Sequence, residues 1–163
     1  MGNFEQYGII AQKGRKHENI IYVMAMIYGM LEREIAEYFQ KHKFTAPKFN
    51  VLMIAAFLNE GKGMNQIEIV QRLITTAGNV TKIVESLYKD KLVTRVQNKN
   101  NRRENIIKAT AKGRDFIEKL WPEYNNLLKK RTDLISAGNQ EKMTEILEKW
   151  FFDLKDLYKG EVI

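Results

Sequence analysis

Residues 65–113 read NQIEIVQRLITTAGNVTKIVESLYKDKLVTRVQNKNNRRENIIKATAKG, and the order of parts within them decides the fold. Asn65 with Glu68 three positions later is a capping-box arrangement, so a helix is expected from Asn65 to about Ile74, with Ile67, Val70, Leu73 and Ile74 turned inward. Thr75-Thr76 supplies a turn and a second cap. The next helix should run from about Ala77 to Asp90, with Val80, Ile83, Val84, Leu87 and Tyr88 inside. Leu92 to Val96 alternates as a half-buried strand does, Asn98-Lys99-Asn100-Asn101 is turn chemistry, and Asn105 to Ala109 returns as the partner strand. Thr110 caps whatever follows.

Helix, tight turn, helix, strand, cationic hairpin tip, strand is the sequence of parts in a winged helix-turn-helix, which lays one helix in a groove of DNA. The fold class expected is therefore mainly α (α+β). The outward face of residues 76–89 carries Thr76, Gly78, Asn79, Thr81, Lys82, Glu85, Ser86 and Lys89, small and polar at its start. A groove-entering helix needs short side chains first, so that its backbone can approach, and then groups that reach base edges. Asn79 can bond adenine bidentately, Lys82 can reach guanine or a phosphate, and Thr76 and Thr81 suit phosphates or base edges. Arg102 and Arg103 at the hairpin tip suit a narrow minor groove, although one of them could brace the hairpin instead. Gln66 and Arg95 are placed to meet phosphates or to remain plain surface.

Outward from this stretch the pattern is helical. From about Lys16 to Lys43, Ile20, Tyr22, Val23, Met24, Met26, Ile27, Met30, Leu31, Ile35, Tyr38 and Phe39 are too many apolar groups for one stripe, so that helix should be covered on two sides, one of them by a second chain. Thr45 and Pro47 mark the start of another helix carrying Phe49, Leu52, Met53, Ala56 and Phe57, and Gly61 and Gly63 stop it. After Thr110 a long helix is expected to Ser136, with a bend near Trp121 where Pro122 removes a backbone donor. Gly138 should end it and Asn139 cap a last helix with Met143, Ile146, Leu147, Trp150, Phe151, Leu154, Leu157 and Tyr158 on one stripe. The organisation expected is an arm and dimerisation helix over 1–44, a DNA-binding domain over 45–110, and dimerisation helices over 111–163, all in one intertwined body.

The 163 residues carry a net charge of +7. Between Ala77 and Arg114 lie ten cations (Lys82, Lys89, Lys91, Arg95, Lys99, Arg102, Arg103, Lys108, Lys112, Arg114) and three acids (Glu85, Asp90, Glu104), so this window alone carries a charge equal to that of the whole chain. Clustered cations are what counterion release from a nucleic acid requires. There is no cysteine, which removes disulfides and thiolate metal sites. The longest apolar run, Ile20 to Leu31, is shorter than the roughly 18–20 residues of a bilayer span, and a cytoplasmic protein is expected.

At this point the chain resembles the MarR family of transcription regulators, over about residues 20–158. The resemblance runs through FNVLMIAAF, QIEIVQRL, NVTKIVESLYKDKLVTR, NRR and KATAKG. Members show an Asp-Arg-Arg wing, and here position 101 is Asn101, an amide in place of the acid. The Leu of the family's step into the long helix is Ala109, while Thr110 and Gly113 match. The resemblance implies DNA contacts from Gln66, Thr76, Gly78, Asn79, Thr81, Lys82, Arg95, Asn101, Arg102 and Arg103. It implies a homodimer through Ile20, Ile27, Trp121, Leu147, Trp150, Phe151, Leu154 and Leu157, a palindromic operator in double-stranded DNA, and a repressor. It also implies a small aromatic or lipophilic effector, but no pocket carries over position by position; His17, Tyr22, Met26, Met30, Phe49 and Met53 are the candidates, and each reads first as a core residue.

Rival classes are weaker. Two histidines, no cysteine, and a Gly61-Lys62-Gly63 too short for a phosphate loop leave no catalytic constellation, so no enzyme and no cofactor are expected. A metal-responsive regulator of the same fold would draw on His17 with Glu18 or His42 with Glu37, at spacings that do not mark a site. A helical protein–protein adaptor would use the same apolar end helices, but would have no reason to bind duplex DNA.

Overall fold

In the computed structural model, residues 4–7, 16–73, 75–98, 101 and 104–157 are described. After a 3₁₀ turn at Phe4–Tyr7 the elements are α1 (Lys16–Lys41), α2 (Ala46–Phe57), a second 3₁₀ turn (Leu58–Gly61), β1 (Met64–Asn65), α3 (Gln66–Arg72), α4 (Ala77–Lys89), β2 (Val93–Gln97), β3 (Asn105–Ala109), α5 (Ala111–Thr132) and α6 (Ala137–Leu157). The fold is mainly helical with one small antiparallel sheet ordered β1-β3-β2. Two compact units divide it, one ending at Ala46 and the other beginning at Pro47. No helix among the described residues is long and apolar enough to cross a membrane.

In the first unit α1 ends in a Schellman closure. The Phe44 amide donates to the Phe39 carbonyl and the Lys43 amide to that of Gln40, with Lys43 in the left-handed region at φ 53°. Tyr38, Phe39 and Phe44 are buried, whereas Ile20, Ile21, Tyr22, Met24, Ile27, Tyr28 and Met30 are exposed in the single chain.

The second unit is built around Phe49, Val51, Leu52 and Ala55 of α2, Ile69 of α3, Val80, Val84 and Leu87 of α4, Ile107 of β3 and Ile117 of α5, all buried. Three helices of the second unit, α3, α4 and α5, start on side-chain caps. Asn65 accepts the Glu68 amide and Glu68 accepts the Asn65 amide, a complete capping box; Thr76 caps α4 and Thr110 caps α5. The Asn65→Ala variant is expected to lose about 1 kcal/mol of stability, which equilibrium urea unfolding would measure.

Several expectations need correction. Ile69, not Ile67, points inward from α3: Ile69 is fully buried and Ile67 is 64% exposed. The α3 helix closes at Arg72, and Ile74 lies outside the described residues. Phe57 ends α2 exposed. The β1 strand was not expected. It pairs with β3 through Met64–Ile107 and Asn65–Ile106, and Gly63 makes that approach feasible. Gly63 sits at φ +86°, and a Cβ on it would stand 2.5 Å from the Ile107 carbonyl oxygen. The α5 helix is continuous through Pro122 and ends at Thr132, earlier than Ser136. Gly138 and Asn139 lie inside the first turn of α6, where the Asn139 amide donates to the Ser136 carbonyl, so neither has the terminal role expected of it.

Candidate nucleic-acid interface

The α4 helix presents a polar face because its apolar residues lie on one side only. Val80, Ile83, Val84 and Leu87 are buried at spacings of three and four, which turns Gly78, Lys82, Glu85 and Lys89 to the opposite side, all exposed. Open space surrounds the position where Gly78 would carry a Cβ. Lys82 has no hydrogen-bonded or ionic partner among the described residues, so its ammonium group is available. Asn79 is oriented by its neighbours. Its amide nitrogen donates to the Thr75 hydroxyl at 2.8 Å, and its backbone N–H donates to the Thr76 hydroxyl at 3.3 Å. Thr76 therefore acts first as the cap.

Gln66 and Thr81 meet each other. The Gln66 side-chain amide donates to the Thr81 hydroxyl, which in turn donates to the Ala77 carbonyl at 2.9 Å. This contact ties the start of α3 to α4. Tyr88, expected inside, is 51% exposed. The guanidinium of Arg95 on β2 lies over its ring, 5.4 Å from the centroid, a cation–π contact that holds Arg95 at the edge of α4.

The hairpin is regular at its base, with Val93 opposite Ala109 and Gln97 opposite Asn105. At its closing end the Asn98 amide donates to the Glu104 carbonyl and the Glu104 amide to the Asn101 carbonyl. Asn101 is exposed, and Lys99, Asn100, Arg102 and Arg103 lie outside the described residues. Glu104 was counted in the sequence only as an opposing charge. Its carboxylate accepts from the Asn65 side-chain amide at 3.3 Å and from that of Asn98 at 3.5 Å, linking the hairpin to the cap of α3. The signal available was that Glu104 is the one acid between β2 and β3.

Not every cation of the basic window faces outward. The Arg114 guanidinium donates to the Ala56 carbonyl at 2.7 Å and to that of Gly61 at 3.4 Å, and the Lys112 ammonium donates to the Asp90 carbonyl at 2.8 Å. These two hold the α2–β1 connection and the end of α4.

Among the residues expected at a dimer contact, Trp121, Leu147, Phe151, Leu154 and Leu157 are exposed in the single chain and Trp150 is partly so; α6 buries none of its residues. In the other unit Ile20 and Ile27 are exposed. Of the effector-pocket candidates, Phe49 is core: it is buried, stacked with Trp121 and edge-on to Tyr124. Burial raises the pKa of the Tyr124 hydroxyl. Met53 lines an open groove of about 340 Å³ with Phe57, Ile117, Glu118 and Trp121. His17, Tyr22 and Met30 are exposed on α1 and Met26 is partly so.

Comparisons with known proteins bear out the MarR resemblance. The sequence model of the MarR family matches residues 44–105, the segment that holds α2, the two short helices and the start of β3. An uncharacterized HTH-type transcriptional regulator, YkoM of Bacillus subtilis, is 23% identical over 80% of this chain and 83% of its own. The HTH-type transcriptional repressor IacR of Pseudomonas putida is 24% identical over 88% of this chain and 84% of its own. Among solved structures, that of a MepR–DNA complex from S. aureus superposes with a TM-score of 0.73 at 19% identity, covering 83% of this chain and 97% of that one.

Proposed function

We propose that this MarR-type chain is a sequence-specific DNA-binding transcription regulator that works as a homodimer on a palindromic operator in the cytoplasm and represses the genes behind it. The observation that carries the reading is the face of α4: Gly78 bare, Asn79 fixed by Thr75, and Lys82 exposed and without a partner among the described residues, beside a hairpin whose sequence holds Arg102 and Arg103. Base edges are met by Asn79, Thr81 and Lys82. Phosphates and the minor groove are met by Thr76, Arg95, Asn101, Arg102 and Arg103.

Two further observations support it. A relative of similar length is named a repressor, and a structure of the same fold was solved with DNA. The apolar side chains left exposed on α1, α5 and α6 are numerous enough to need a cover, and a second copy provides one on both end helices. Two lobes would then address half-sites about 34–36 Å apart. An effector of aromatic or lipophilic character would need an apolar recess, and the groove over Met53, Phe57, Ile117 and Trp121 offers one.

Selection of bound duplexes from a random library tests the reading. The expected outcome is enrichment of an inverted repeat that binds two chains per duplex in sedimentation. Recovery of unenriched sequence, with the protein a folded monomer at micromolar concentration, would refute it.

A further inference from the structure

The hydrogen-bond partners of Thr81 restrict what it can read. A threonine hydroxyl has one hydrogen to donate and two lone pairs to accept with. Here the hydrogen is used on the Ala77 carbonyl, and one lone pair takes the Gln66 amide. Phosphate oxygens, guanine O6 and N7, adenine N7 and thymine O4 are all acceptors, and each requires a donor that Thr81 no longer has. With its hydrogen and one lone pair held between α3 and the preceding turn of α4, Thr81 keeps one lone pair, which can only accept from adenine N6 or cytosine N4, and its γ-methyl group, the substituent through which it can meet a thymine. Thr81 is partly exposed, and Gly78, one turn earlier, leaves open space in which a groove can come close.

We infer that Thr81 is a specificity-determining residue that recognises the C5-methyl group of a thymine in the major groove, with Gln66 as the positioning residue that fixes its rotamer. Apolar contact is the way a protein reads this feature, which no other base of unmodified DNA presents. The inference rests on the DNA-binding reading above and deepens it. It also reassigns Gln66, whose amide is directed to Thr81.

The test uses the full chain and its selected duplex, with each thymine replaced singly by deoxyuridine, which lacks only that methyl. Wild-type protein is expected to lose about fourfold in affinity at one thymine of each half-site, the worth of one buried methyl-sized group. The thymine-to-deoxyuridine ratio is then read within each variant, so that general losses cancel. Thr81→Val keeps the methyl and should keep the ratio. Thr81→Ser keeps the hydroxyl and should bring it to one. If no thymine is methyl-sensitive, or if Ser preserves the discrimination and Val abolishes it, the inference is overturned while the regulator reading stands. If no duplex binds at all, both fall.

Discussion

Gly113→Ala is expected to destabilise the second unit by about 3 kcal/mol, the upper part of the ordinary range for overpacking a filled site. Gly113 is the third residue of α5, buried where that helix meets the start of β2. A Cβ built there would lie 2.2 Å from the Leu92 carbonyl oxygen and 3.2 Å from the Leu52 side chain. The obstacle is backbone, so no rotamer change relieves it. Moving α5 away would strain the contacts that seat it, since the Thr110 amide donates to the Leu92 carbonyl at 3.0 Å and the Thr110 hydroxyl to that of Lys91 at 2.8 Å. Thermal unfolding should show a midpoint lower by about 6–12 °C for a chain of this size. A midpoint within about one degree of wild type would mean that α5 and β2 are not packed as described. Gly78→Ala is the control, because nothing lies within 4 Å of the added Cβ.

Lys82→Ala is expected to weaken operator binding by about 1–3 kcal/mol, roughly 5- to 150-fold, without changing the unfolding midpoint. Lys82 is exposed on the side of α4 opposite its buried residues and engages nothing among the described residues, so its removal costs the fold little. Asn79→Ala should act in the same range, with two effects combined: it removes a base-reading amide and frees the Thr75 hydroxyl. Titration of the selected duplex by fluorescence anisotropy would measure both. Unchanged affinity in the two variants would show that another face of the lobe meets DNA.

What the sequence made legible was what depends on near neighbours. The caps at Asn65, Thr76 and Thr110 are set by pairs three residues apart, and each is formed. The α4 helix is long enough for its period to fix its inner face, save for Tyr88 at its last turn, where Arg95 arrives from β2. The α3 helix, at seven residues, is too short: two turns do not fix the phase of a 3.6-residue period, and Ile69 rather than Ile67 faced the core. The β1 strand has two residues and exists because Gly63 lets it approach β3, a contact across more than forty positions. The ends of α1 and α4 fall within one or two residues of the expected Lys43 and Asp90, although no glycine marks them. Lys43 and Lys91 adopt the left-handed conformation that glycine usually signals, at a cost of roughly 1 kcal/mol each.

The candidate site divides along the same line. The polar face of α4 could be read from spacing alone. The commitments of its side chains could not, because Gln66 to Thr81, Asn65 to Glu104 and Arg114 to Ala56 span 15, 39 and 58 positions. Charge counting treated the basic window as uniform, while Lys112 and Arg114 serve backbone carbonyls within the lobe.

The central claim is that α4 and the hairpin after it grip duplex DNA, and the salt dependence of binding tests it most directly. With about six phosphates neutralised, affinity for the selected duplex should fall on the order of 10³-fold between 50 and 200 mM monovalent salt. The slope of log affinity against log salt should be shallower when Arg102 and Arg103 are both replaced by alanine. A protein that binds no duplex at 50 mM salt, or binds one with an affinity that salt does not change, would contradict the claim.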